Sequence, residues 1–229
     1  MLLIPTLALS QITLTENNHI LFKGTVNAQS VAKASKELLQ LSFKTKPGST
    51  IYLVLDSPGG SVYDGLNFVQ LFATIPRNVE CIALRAYSMG HHFLQACPGK
   101  RYGVPNVSSM AHRASGSFRG TFNNGSVETQ LKLWTGIVQG MEKVNAKRMG
   151  LSLEKYQSLA KDDYWCHGYD CVKKNFVDSI QNVSCSKELV NKETSRAVHT
   201  FFGSYNVYFT KCPLIGYTRI ERVKSPRRR

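Results

Sequence analysis

Two apolar runs, each closed by a tight turn, constrain the fold more than any other feature of this chain. Ile51-Tyr52-Leu53-Val54-Leu55 leads into Asp56-Ser57-Pro58-Gly59-Gly60-Ser61, and the run from Val79 to Leu84 is followed by Ser88-Met89-Gly90. Short apolar runs bounded by turn residues read as buried strands. Between them Val62, Leu66, Val69 and Phe72-Ala73 form one face of a helix ending near Pro76. Strand, helix and strand in that order call for a right-handed crossover and a parallel sheet. The unit has neighbours on both sides. A strand at 20–23 and a helix at 29–41, with Val31, Ala34, Leu38 and Leu41 at helical spacing, come before it. A helix from Ser88 to about Cys97 and short strands around 101–104 and 108–112 come after it. A polar, Gly-rich stretch at 114–126 then leads into an amphipathic helix at 127–148, with Leu131, Trp134, Val138, Met141 and Val144 near one face. The expectation is an α/β fold. With 229 residues, 42% of them hydrophobic, the chain buries one substantial core without needing a second domain.

The turns carry more than geometry. The Ser57-Pro58-Gly59-Gly60 turn, the later Ser88-Met89-Gly90, the segment Lys100-Arg101-Tyr102-Gly103-Val104-Pro105-Asn106 and then Met110-Ala111-His112 occur in one order at set spacings. In that order the chain resembles the proteolytic subunit of the Clp protease, within the wider Clp/crotonase superfamily, from about Leu21 to Ile180. The resemblance implies repeated ββα units with a protruding handle helix. It divides the chain into an N-terminal segment at 1–19, a peptidase domain at 20–182 and a C-terminal extension at 183–229. It also implies that the 127–148 helix interlocks subunits into rings, with Trp134 and Met141 at the interface, and that an edge strand before it accepts peptides by main-chain pairing.

A serine hydroxyl is a poor nucleophile at neutral pH, so acyl transfer needs a base within hydrogen-bond reach and a third group to orient that base. The resemblance assigns these roles to Ser88, His112 and Asp163, the last from matching Lys161-Asp162-Asp163-Tyr164-Trp165 to the family's Asp-x-x-Phe segment. Asp162 is the adjacent competitor. Gly60 and Met89 are the implied oxyanion donors. A residue without Cβ allows close backbone approach at Gly60, and the first turn of a helix leaves its amides unpaired at Met89. Taken singly, Ser88 reads as a helix N-cap, His112 as a core histidine, Asp163 as a cap or surface carboxylate and Gly59-Gly60 as a plain turn. The family's usual His-Gln-Pro is here His112-Arg113-Ala114, which adds a charge to the substrate-facing strand.

No metal and no other cofactor is implied. His91 and His92 are adjacent, and successive helical residues point about 100° apart, which does not suit a shared ion. His167 reads as a surface residue. Cys81 sits in a buried-strand pattern where a free thiol packs well. Of the six cysteines, Cys185 and Cys212 form the most credible disulfide, because both lie in the extension. In that extension, 207–210 and 217–220 read as two strands around Pro213 and Gly216. The net charge is +14, but six of the basic residues fall in the last 11 positions and no nucleic-acid motif accompanies them. A basic surface suited to anionic polymers, envelopes or acidic substrates is expected instead. No stretch reaches the ~18–20 apolar residues of a membrane span.

The activity expected is hydrolysis of peptide bonds in short or unfolded substrates by an oligomeric serine endopeptidase. A crotonase-like thioester enzyme and a silent ring subunit are the alternatives. The family arm that meets an ATPase is replaced by a short segment ending at Thr15, so an unfoldase partner is not carried over. Residues 2–9, with Ala8 and Ser10 small, resemble the end of a secretory signal without its basic n-region, which favours export with a mature start near Gln11; the alternative is that they form the first strand of the fold.

Overall fold

The computed structural model describes residues 11–117 and 123–223. After β1 (Ile12–Leu14), β2 (His19–Lys23), α1 (Ala28–Lys44), β3 (Thr50–Ser57), α2 (Val62–Phe72), β4 (Asn78–Tyr87), α3 (Met89–Gln95) and β5 (Arg101–Ala111) alternate along the chain. β2, β3, β4 and β5 lie side by side and parallel, in sequence order. Next come α4 (Asn124–Arg148), α5 (Leu153–Ala160), β6 (Tyr164–His167), α6 (Asp170–Lys173) and β7 (Ser179–Ile180). β6 pairs antiparallel with β5, and β7 pairs parallel with it. The α/β expectation therefore holds, with β2, β3 and β4 one to four residues longer than the runs that announced them.

The sheet is buried on both faces, and so its strands read as continuous runs rather than as alternation. Ile51, Leu53 and Leu55 of β3 join Phe22, Phe68 and Phe93 in one core, and Val54 joins Leu14, Ile82 and Leu189 in a second. The rings of Phe22, Phe68 and Phe93 lie 5.0–5.4 Å apart. Each fully buried side chain of this size contributes about 1.5–3 kcal/mol. α1 starts on a capping box, with the Asn27 side chain accepting from the Ser30 N–H and the Ser30 hydroxyl from the Asn27 N–H. It buries the predicted face of Val31, Ala34, Leu38 and Leu41.

β5 runs unbroken where two short strands were expected. Its pairing with β4 shifts between Ala83 and Arg85. Pro105, which has no N–H to donate, sits in the irregular stretch that takes up the shift.

The second face of the sheet is covered by residues from both ends of the chain. β1 pairs in parallel with β8 (Val183–Cys185), and α7 (Lys187–Asn191) adds Leu189. Beyond it, β9 (Glu193–Thr200), β10 (Gly203–Thr210) and β11 (Tyr217–Arg222) form an antiparallel sheet. β10 and β11 contain the two expected strands. β9 escaped the sequence reading because all its residues are exposed and no apolar alternation marks it. The segment 2–10, with Ala8 and Ser10, lies outside the described residues.

Six cysteines pair as Cys81–Cys97, Cys166–Cys171 and Cys185–Cys212. The last is the expected pair. Cys81 corrects the free-thiol expectation: the chain leaving α3 folds back on β4, where Gly99 N–H bonds Val79 O and Cys81 N–H bonds Lys100 O. This return brings Cys97 to a Cα–Cα distance of 6.1 Å from Cys81. Among the described residues no helix is long and apolar enough to cross a membrane.

Candidate active site

The β4-to-α3 junction holds Ser88 at φ 54°, ψ −118°. A non-glycine residue in this region costs of order 1–3 kcal/mol and persists only where its surroundings enforce it. Here the Ser88 N–H is tied to Met110 O at 2.9 Å. Ser88 occupies the N-cap position of α3, yet its side chain makes no capping bond. Its hydroxyl lies 2.7 Å from His112 Nε2 instead.

His112 follows the last residue of β5, and the next amide, Arg113 N–H, is anchored on Ala160 O at 3.1 Å. On the far side of the ring, Nδ1 is 3.9 Å from Asp163 Oδ1, an ion-pair separation that is too long for a hydrogen bond. Asp163 has φ 57°, a left-handed conformation that Asp tolerates better than most residues. Its carboxylate is the one that faces His112; Asp162 has no contact with the ring among the described residues.

The glycine pair packs against the elbow. A Cβ on Gly59 would stand 2.5 Å from Ser88 Cβ, and one on Gly60 would stand 2.3 Å from Val26 O. The turn is pinned by Ser57, whose hydroxyl donates to Gly24 O and accepts from Gly59 N–H. Val26 N–H bonds Gly59 O, and Ser61 N–H bonds Val26 O. The Gly60 N–H takes part in neither bond. Met89 N–H, in the first turn of α3, likewise has no backbone partner. Among the described residues neither amide has a hydrogen-bond partner, and Gly60 and Met89 line the same cavity as Ser88.

Beside Ser88 and His112 a cavity of about 90 Å³ reaches down between α3 and α4. His91 and His92 line it, and both are buried. His91 Nδ1 meets Ser109 Oγ at 3.1 Å, and His92 Nδ1 meets Asn145 Oδ1 at 2.8 Å, with Asn145 Nδ2 donating to Tyr156. Burial, reinforced by the charges of His92, Arg101 and His112, pushes the His91 pKa down to about 3. This His–Asn–Tyr chain was not legible in sequence, since Asn145 and Tyr156 carry no motif. His167 is exposed, as expected. No group of three or more His, Cys, Asp or Glu able to hold a metal occurs among the described residues.

Arg101 supports the site from below. Buried itself, it bonds Asp178 at 2.5 Å, Asn175 O at 3.0 Å and the side chain of Gln95 at the end of α3. Burial alone would raise the Asp178 pKa, but the hydrogen bonds and charge of Arg101, with Arg148, outweigh it and hold the carboxyl below its usual range.

Comparison with known proteins places the chain in a family. The family model described as Clp protease matches residues 8–184. The ATP-dependent Clp protease proteolytic subunit 1 of Frankia casuarinae is 30% identical over 165 residues, 71% of this chain and 76% of that one. Subunit 2 of Cutibacterium acnes is 27% identical over 165 residues, covering 71% and 77%. The Streptococcus pneumoniae (strain P1031) proteolytic subunit is 30% identical over 151 residues, covering 64% and 77%. The matched span holds both turns, the elbow at Ser88, His112 and Asp163, and on that breadth the chain belongs to the Clp protease family.

Proposed function

We propose that this protein is a serine endopeptidase that cuts peptide bonds through an acyl-enzyme. Ser88 is the nucleophile, His112 the general base and then acid, and Asp163 the group that orients the imidazole. Gly60 N–H and Met89 N–H receive the oxyanion, where each preorganised donor contributes a few kcal/mol. The observation that carries the reading is the 2.7 Å contact between Ser88 Oγ and His112 Nε2 on a strained elbow. For Ser88 to donate along this contact, Nε2 must be unprotonated, which leaves the Nδ1 proton directed toward Asp163. The 3.9 Å gap there is of the kind that closes when substrate or assembly tightens a site. Modification of Ser88 by a fluorophosphonate, located by peptide mapping, tests nucleophile and reaction class together. A crotonase-like thioester enzyme does not need this serine, and a silent ring subunit would not react.

Assembly through α4 belongs to the same reading. Its first two-thirds bury little, leaving Val127, Leu131 and Leu133 exposed. Trp134 is half-buried against Gly116 and Tyr63, and Met141 packs on the core. The exposed apolar residues of α4 available to a neighbouring subunit are Val127 and Leu131, four residues apart on one face, and Leu133 on another, alongside the partly exposed Trp134 and Met141 first expected there. The partners proposed are a peptide or unfolded-protein substrate and further copies of the chain. Export to an oxidising compartment is supported by three disulfides that use all six cysteines. Six free thiols in natively expressed protein would reject it.

A further inference from the structure

Resting on the serine-peptidase reading, we propose that the cavity beside Ser88 is a specificity pocket built from hydrogen-bond acceptors, which takes a lysine or arginine side chain on the acyl side of the cleaved bond. The residue whose carbonyl meets Ser88 and the two free amides is the one whose side chain can enter a cavity adjoining them. The cavity is lined by the apolar Val138 and Met141 and by the polar His91, His92, Glu142 and Tyr156.

Following the protons shows what the polar lining offers. The Ser109 hydroxyl donates to Ala86 O at 2.7 Å, so its 3.1 Å contact with His91 must be Nδ1–H donating to Ser109 Oγ. The His91 ring is 1% exposed and held neutral by burial, which leaves Nε2 a lone pair with no partner among the described residues, itself sealed from solvent beneath the cavity lining. Likewise Asn145 gives its N–H to Tyr156, so its oxygen accepts from His92 Nδ1–H. Burial lowers the His92 pKa too, and its Nε2 is a second acceptor. Glu142 is 8% exposed, accepts one bond from Gln157 at 2.6 Å, and has no cation within ion-pair range among the described residues.

A buried carboxylate without a counter-charge, beside the His92 acceptor and with the unsatisfied His91 Nε2 behind them, calls for a donor with positive charge. Lysine and arginine supply one on an aliphatic stem that Val138 and Met141 can pack. A leucine side chain would satisfy the apolar lining and leave the acceptors dry. An acidic one would meet Glu142. The pocket thus has the opposite sign to the +14 chain around it.

The test uses three peptidyl diphenyl phosphonates that differ only in carrying a lysine-, leucine- or aspartate-like side chain beside phosphorus. In each, Ser88 Oγ bonds to phosphorus and phenol leaves with the serine's proton, and intact mass follows the rate. The lysine probe should react about tenfold or more faster than the leucine probe, the scale of a charge-assisted hydrogen bond. Glu142→Gln should bring the lysine-to-leucine rate ratio down to within about twofold of one. His91→Phe, which keeps a flat ring and removes the lone pair, should narrow the ratio if the Gln variant does not fold. Equal or faster reaction of the leucine probe, or an equal loss for both probes in the variant, overturns the pocket. A fluorophosphonate without a side chain separates the two ideas. Labelling of Ser88 without lysine preference sinks the pocket alone, and no labelling sinks the peptidase reading beneath it.

Discussion

The elbow around Ser88 and the sheet of β9, β10 and β11 are held in place by opposite means. At the elbow every residue of α3 is buried, and the Ser88 N–H, the Ser57 hydroxyl and the Arg101–Asp178 pair lock its backbone and its far end. In the C-terminal sheet, β9 and β11 are exposed along their whole length and β10 is half-buried. That sheet is fastened by Cys185–Cys212, by Lys192 and Lys211 on Glu16, and by cross-strand contacts such as Arg219 3.9 Å over the Tyr208 ring. Burial of this kind is cooperative, so the elbow cannot loosen without the core. A sheet tied by local links can open alone.

The sharpest attempt to break this contrast is Ser88→Ala. Peptidase activity should fall by about 10⁴-fold or more, as loss of the nucleophile does in serine hydrolases. The melting temperature should barely move, because the hydroxyl packs against little but His112. His112→Ala should do nearly the same, and the double variant no worse, since the two act as one unit. Retained turnover in either single variant would end the assignment.

Asp163→Asn comes next. A carboxylate that orients the base should cost about 10²-fold in turnover, less than in a fully hydrogen-bonded triad because it stands 3.9 Å from the ring. Asp162→Asn should be mild. The opposite ranking in steady-state kinetics would move the third role to Asp162.

On the assembly side, Leu131→Glu with Leu133→Glu should lower the sedimenting mass and the activity, while circular dichroism stays unchanged. Unchanged mass would remove α4 from the interface.

The extension should respond to its staple. Replacing Cys185 and Cys212 by Ser releases a 27-residue separation, worth about 3.5 kcal/mol in the chain-entropy account. Hydrogen exchange should rise in β9, β10 and β11 while Ser88 labels at its usual rate. A matching rise in α3 would show that the two regions are not independent.

Acid should separate them more gently and in the reverse order. The pKa values of buried His91 and His92 lie below the ordinary histidine range. As pH falls below about 6.5 the unfolded chain takes up protons that the folded one refuses, and stability drops by at most about 1.4 kcal/mol per pH unit for each ring. Glu16 is also lowered, by its hydrogen bonds to Lys192 and Lys211. Its contribution is present above its unfolded value of 4.5 and fades only as pH falls further. Exchange measured at pH 7, 6 and 5 should therefore show the elbow weakening first.

Local order was legible because it is encoded locally. The runs at 51–55 and 79–84, the helical spacing between them and the glycines at 59 and 60 require particular backbone conformations whatever surrounds them, and they placed Ser88 and His112 at the ends of neighbouring strands. The choices left to tertiary structure all involve partners distant in sequence or differences that no periodicity records. Asp162 and Asp163 have the same chemistry, and only the left-handed backbone at Asp163 turns one of them toward His112. Cys81 looked like core filling until the return from α3 brought Cys97 beside it. β9 carries no apolar alternation, and it exists because β10 offers it a hydrogen-bonding edge. The acceptor lining beside Ser88 joins α3 to α4 and α5 through Asn145 and Tyr156. A residue pattern reports the conformation of its own segment; which side chains meet, and which lone pairs are left bare, is decided only when the segments pack and water is excluded.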